Sequence, residues 1–497
     1  MTKHYRQRLV AVIALSFLSF TSPLLLTRNA AAQKLSASKA SPKEIDSLIE
    51  KLKTNDEKEL DATIEKLVKI GKPAIPALIE ALRDKNLVVR QSASQVLQRF
   101  STSAIPALVK ASKDSDVRVR RRAAALLNKM TDQTSLVSSE AKNVMPQLIS
   151  LLKDSDADVR SSAALFLGRI SEETKTVIPQ LIPLLKDSDA GVRSSAAQAL
   201  RIGGETETVI PQLVSLLKDS DGRVRSSAVS ALGRIGAEAK AEAKAVIPQL
   251  IPLLKDSDGR VRRSAALALG RIGAEAKAEA KAVIPQLIPL LKDSDADVRS
   301  SAASALGSIG AEAKAAVPQL VPLLKDSEPN VRSNAASALR NMGAEAKTAV
   351  PQLTPLLKDF DADVRSSAAS ALGSIGLEAK TAVPQLIPLL KDSDADVRSS
   401  AASALGSIGL EAKTAVPHLI SLLKDSEPYV RRSVANALES IGLSLQEKAK
   451  TLTSQELNQA VSNLESALKI VAEPKADFSK PTIANLRRHL QNSNIMW

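Results

Sequence analysis

The chain has 497 residues, of which 44% are apolar, 25% charged and 2% aromatic, so its core must be filled by Ala, Leu, Val and Ile rather than by large rings. It has no cysteine, which excludes disulfides, thiolate metal sites, Fe–S clusters and cysteine nucleophiles. Its three histidines, His4, His418 and His489, are too scattered for most imidazole metal centres or acid/base triads, and a net charge of +14 speaks to solubility and non-specific attraction rather than to fold.

Residues 1–32 begin with Lys3, Arg6 and Arg8, run through an apolar stretch from Leu9 to Leu26 and end on Ala30-Ala31-Ala32. That order predicts a secretory signal peptide cleaved after Ala32. Ser16, Ser19, Thr21, Ser22 and Pro23 weaken the run as a permanent anchor. With Lys3, Arg6, Arg8 and Arg28 removed, the mature chain keeps +10 of its +14. The expected location is exported: periplasm, outside the cell, or a thylakoid lumen. Residues 33–41 are small and polar and predict a flexible tether. Residues 42–71 keep apolar Ile45, Leu48, Ile49, Leu52, Ile64, Leu67 and Ile70 and predict a degenerate capping repeat.

From 72 to 442 the chain repeats itself. Pro76, Pro106, Pro146, Pro179, Pro211, Pro248, Pro285, Pro318, Pro351, Pro384 and Pro417 head eleven similar segments, each with an arginine 14 residues later. The last four spacings are all 33. In the unit Val383 to Gly409, Val397, Ala401, Leu405 and Ile408 line one face of a helix, B, that Asp394 is placed to cap and Gly409 to end. Val383, Leu386, Ile387 and Leu390 form the stripe of a preceding helix, A. Pro384 and Pro388 leave two options for helix A, a kinked helix or a separate helical turn followed by a helix starting at Pro384. In two units Pro329 and Pro428 follow Glu328 and Glu427, where a first-turn proline fits. Doubled AEAK segments, 237–244 and 274–281, add about one helical turn, roughly 6 Å.

Beyond the array, in 443–497, Leu457, Val461, Leu464, Leu468 and Val471 mark one further helix and Ile483, Leu486 and Leu490 another, together a C-terminal helical cap.

The constellation of Pro384, Asp392 and Val397-Arg398, carried by all eleven units, resembles the HEAT repeat, more narrowly its short, phycobilisome-lyase HEAT-like type. The resemblance implies an all-α solenoid of stacked helical hairpins, with each pair stabilised by its neighbours and a length on the order of 100 Å. It also implies an Asp–Arg ladder between repeats. The residues are Asp84 and Arg90, Asp114 and Arg120, Asp154 and Arg160, Asp187 and Arg193, Asp219 and Arg225, Asp256 and Arg262, Asp293 and Arg299, Asp326 and Arg332, Asp359 and Arg365, Asp392 and Arg398, and Asp425 and Arg431.

The search for chemistry returns little. No His-Glu dipeptide occurs, as the di-iron hydroxylases of this fold would require. Gly406 and Gly409 read as ending a helix, not as opening a phosphate loop. The KDSDAD turns lack the glycine and distal glutamate of a calcium loop and read as turn and N-cap chemistry. No catalytic residue, metal or cofactor is expected. The outer face of helix B, with Ser399, Ser400, Ser403 and Ser407, is expected to be a hydroxyl-rich concave wall.

Candidate partner contacts are the cations Arg118, Arg121, Arg122, Arg223, Arg260 and Arg263, with Phe360 and Tyr429, which break the repeat pattern. Residues 285–317, 351–383 and 384–416 are almost copies, whereas a catalytic site needs a unique set of side chains. The reading is therefore a non-catalytic, exported scaffold for protein partners, with no nucleic acid expected. Its alternatives are a phycobilin-lyase-like factor or chaperone, and a polyanion- or membrane-surface binder acting through its basic patches.

Overall fold

The computed structural model describes residues 40–54, 56–130, 139–170, 174–200 and 206–448. They fall into two compact units, one within 23–268 and one within 269–497. The fold is an all-α solenoid, and among the described residues there is no strand. The leader, nearly all of the tether and the helices expected after 448 lie outside the described residues.

Each B helix follows from its sequence. In repeat ten, Ala395–Ile408, the Asp394 carboxylate accepts the amides of Asp396 and Val397 and so satisfies two donors of the first turn. Val397, Ala401, Leu405 and Ile408 are all buried. The helix stops at Gly409, whose φ of 77° lies in the left-handed region and lets its amide turn back to the carbonyls of Leu405 and Gly406. Glu328 makes no side-chain cap bond, and there Pro329 starts the helix instead.

In repeats one, two and eight to eleven the structure takes the second option for helix A, whereas in repeats three to seven the α-helix begins before the heading proline and runs through it, as in Lys277–Leu287 with Pro285 inside. In repeat ten a 3-10 segment, Gly376–Ala382, precedes an α-helix, Val383–Leu389, with Pro384 in its first turn and Pro388 inside it. In repeats eight and nine the stretch after the short α-helix, Val321–Lys325 and Thr354–Lys358, is itself 3-10. The second proline of each pair offers no amide to the α ladder, and tighter bonding absorbs the gap.

The doubled AEAK lengthens helix B. The helix of repeat five, Gly222–Glu238, has 17 residues against 14 for Ala395–Ile408, and it runs through Gly236, the place where repeat ten ends.

The reading of Gly406 needs correction. It lies within the B helix, buried, and a Cβ there would stand 2.6 Å from Ala437 Cα on the next B helix. Gly168, Gly233, Gly307 and Gly373 meet Ala199, Ala268, Ala338 and Ala404 in the same way. These glycines set a backbone-to-backbone approach that no side chain would allow. Helix ending belongs to Gly409 alone.

N-terminal to the array, helices Pro42–Lys51 and Glu57–Ile70 are capped by Ser41 and Asp56 and bury Ile45, Leu48, Ile64, Leu67 and Ile70.

Candidate interaction surface

The repeated aspartate and arginine meet across repeats. Arg365 donates from Nε and Nη2 to the two carboxylate oxygens of Asp392, both at 2.8 Å, a bidentate pair. Its Nη1 donates to the carbonyls of Asp359 and Phe360 in its own turn, at 2.9 and 3.1 Å. Asp392 in turn accepts the amide of Asp394 at 2.9 Å. Arg365 thus ties its own turn's backbone to the next repeat's carboxylate. The same pairing joins Arg160 to Asp187, Arg193 to Asp219, Arg225 to Asp256, Arg299 to Asp326, Arg332 to Asp359 and Arg398 to Asp425, while Arg120 bonds Asp154 through Nη2 alone at 3.3 Å. The Arg299 and Arg398 guanidiniums hold the carboxyls of Asp326 and Asp425 below the ordinary range.

A second ladder lies on the face expected to be a hydroxyl wall. In several repeats the serine after the ladder arginine shares a hydrogen bond with the second residue after the next repeat's arginine: Ser161 with Ser195, Ser194 with Ser227, Ser226 with Ser264, Ser366 with Ser400, and Ser399 with Ser433, all at 2.7–2.9 Å. Many of the recurring hydroxyls therefore serve the array itself.

The candidate cations are mostly neutralised at home. Arg118, Arg223 and Arg260 each pair with the capping aspartate two residues earlier, Asp116, Asp221 and Asp258. These contacts hold the carboxyls of Asp116 and Asp221 down to about 2. Arg121 reaches Asp156 of the next repeat at 2.6 Å, and Arg263 is not free of partners either. Arg122 differs, since its Nη1 donates to the Leu82 carbonyl at 2.6 Å. A count of arginines overstates the local excess of charge.

Phe360 is 80% exposed, with the Arg332 guanidinium 5.2 Å from its ring centre. Tyr429 is exposed beside Asp396 and lines an open groove of about 440 Å³ along the B helices of repeats eight to eleven. Asn330, Asn334 and Arg340 line the groove with the repeated Ser366, Ser399 and Ser400. In repeat ten the places of Asn330, Asn334 and Arg340 hold Asp396, Ser400 and Gly406. The two asparagines and Arg340 were not singled out in the sequence, although each is visible as a departure from a nearly invariant unit. Among the described residues, no group of three or more metal-ligating side chains comes together.

A family model described as HEAT repeats matches the chain in overlapping stretches from 75–138 through 210–283 and 284–373 to 383–468. The chain belongs to the HEAT-repeat family. Its repeats superpose on solved solenoids of that architecture. Yeast importin-β (Kap95p) matches with a TM-score of 0.57 at 16% identity, over 99% of this chain and 76% of that one. A structure of Kap95p with RanGDP gives 0.59 at 17%, over 91% and 68%, and a Kap95:Nup1 complex gives 0.53 at 16%, over 91% and 69%. At these identities the likeness to this HEAT-repeat chain is one of fold. No curated protein sequence matches it. Among the described residues no helix is long and apolar enough to cross a membrane.

Proposed function

We propose that this HEAT-repeat chain is an exported, non-catalytic scaffold for a protein partner, which it receives on the B-helix face of repeats eight to eleven. One observation carries the reading. In an array of near-copies, Asn330, Asn334, Arg340 and Tyr429 depart from the repeat and converge on one groove, while the buried alanines and leucines beneath them keep to it. Tyr and Arg are also the side chains that most often anchor protein interfaces. Export rests on residues 1–32.

The test is an affinity capture with residues 33–497, washed at low and moderate salt, beside a variant returned to the repeat pattern by Asn334→Ser and Tyr429→Asp. A partner retained by the parent through both washes and lost by the variant supports the reading. Equal capture by both, or retention only at low salt, overturns it.

The 33-residue period favours the phycobilisome-lyase-like subtype of HEAT repeat, and with it a second reading, a bilin-handling factor. A bilin titration that shows no binding discards it.

A further inference from the structure

A second open groove, of about 470 Å³, runs along the B helices of repeats one and two, Leu87–Arg99 and Val117–Met130. Its cations are Arg90, Arg122 and Lys129, and none of the residues lining it is acidic. The ladder is out of register here. Asp114, which the pattern assigns to Arg90, is bonded by Arg83, and Arg90 donates to the carbonyls of Asp84 and Lys85 at 2.9 and 2.7 Å. Arg122 stands where later repeats carry the ladder serine. Carbonyl dipoles orient a guanidinium without cancelling its charge. Burial, and then the like charges of Arg90 and Arg118, push Arg122 below its ordinary value, yet a guanidinium stays protonated. The groove therefore holds cations that repel one another and that a carboxylate would relieve, unlike Arg118 and Arg121 beside it.

We propose that this groove binds an acidic, partly apolar peptide segment of a partner protein, its carboxylates seated on Arg90, Arg122 and Lys129. Two features favour a peptide over a bare polyanion. Gln91, Gln95 and Gln98 follow one another at helical steps along the groove, and their amides can both donate to and accept from an extended backbone. Leu87, 55% exposed, offers an apolar contact at the rim that inorganic phosphate or a sulfated polymer would leave unused. The inference rests on the scaffold reading but uses a different surface.

The experiment is a fluorescence-anisotropy titration of residues 33–497 with a short labelled peptide of Asp, Glu and Leu, repeated with a Lys and Leu peptide. Inorganic phosphate and phosphatidylglycerol vesicles serve as competitors. The double variant Arg122→Ser with Lys129→Gln keeps Arg90 on its turn and restores the hydroxyl of the other repeats, so its circular dichroism should match the parent. The expected result is binding of the acidic peptide alone, weakened about tenfold or more in the double variant and unchanged by Tyr429→Asp. Absence of binding, equal binding by the double variant, or full displacement by phosphate or by the vesicles overturns the proposal. If the acidic peptide fails while Tyr429→Asp and Asn334→Ser still abolish partner capture, this inference falls and the scaffold reading stands. If the peptide binds as expected and that capture is unaffected, the groove of repeats eight to eleven is withdrawn instead.

Discussion

Repeats nine and one solve the same packing problem with different parts. In repeat nine, Arg365 clasps the Asp392 carboxylate, Ser366 bonds Ser400, Gly373 lets Ala404 approach, and Gly376 ends the helix at a φ of 74°. In repeat one the equivalent places hold Arg90 on carbonyls alone, Gln91, Gln98, and Ser101 at a φ of 50°. Yet the buried set is common to both, Val364, Ala368, Ala371 and Leu372 in one and Val89, Ala93, Val96 and Leu97 in the other. The apolar stripe makes the hairpin stack. The ladders then set how closely and in what register.

The largest break should come at the close approach. Gly373→Val places branched carbon against backbone, because even a Cβ there would stand 2.8 Å from Ala404 Cα. Overpacking of this kind should cost about 2–3 kcal/mol. In repeat one, Gln98 already carries a side chain at this place, and Gln98→Val should fall within about 0.5 kcal/mol. Because long arrays need not unfold as one unit, the readout is native-state hydrogen exchange across residues 362–408 and 87–130. Equal loss in both regions would show that the glycine contact is not what holds the later seam.

Next is the carboxylate. Asp392→Ala removes the acceptor of two arginine bonds and of the Asp394 amide, for about 2 kcal/mol. Asp84 accepts the Asn86 amide, and no arginine occurs among residues 33–82 to reach it from the preceding segment. Asp84→Ala should therefore cost about 1 kcal/mol by the same exchange measurement, and the difference is the share owed to the guanidinium.

Acid should act on the same bonds. Arg299 and Arg398 hold Asp326 and Asp425 below the ordinary carboxylate value, so the folded state binds the proton less readily than the unfolded one. The stability this adds is fully present above the unfolded value of about 3.9 and is lost as pH falls through the lower folded value. Protection from hydrogen exchange at residues 296–425, taken relative to the intrinsic exchange rate at each pH, should fall from about pH 4 downward. A profile flat to pH 2 would remove the ladder's electrostatic part.

How much of this comparison is readable from sequence depends on whether a contact stays within one unit. Helix B, its Asp394 cap and its Gly409 stop are local, and they are legible from spacing alone. The aspartate six residues before each arginine is visible too, but its carboxylate serves the arginine of the preceding repeat, while the arginine of its own repeat takes its carbonyl. Ser399 and Ser400 read as part of a hydroxyl wall, because a hydroxyl pair across helices leaves no mark beyond recurrence at the repeat period. The pairing of Arg118, Arg223 and Arg260 had a signal, an aspartate two residues before each, that a count of cations passes over. Arg122 stood out among the cations, but its sharing of a groove with Arg90 left no signal, since the groove appears only when two helices are laid side by side.

The smallest effect would sharpen the comparison most cleanly, because it changes one backbone angle and no contact between repeats. Ser101 occupies the helix-ending place that glycine fills at Gly310, Gly343, Gly376 and Gly409, and it is the one non-glycine residue with positive φ among those described. A side chain in that region strains against the following carbonyl at a cost of roughly 1–2 kcal/mol, while glycine gives back roughly 0.5–1 kcal/mol in unfolded-chain entropy. Ser101→Gly should therefore stabilise repeat one by about 0.5–1 kcal/mol, and Gly376→Ser should destabilise repeat nine by a similar amount. Slower exchange at residues 87–111 in the first variant and faster exchange at 362–389 in the second would show that both ends obey one backbone rule. If Ser101→Gly instead weakened its repeat, the Ser101 side chain would have to be making up in contacts what it loses in strain.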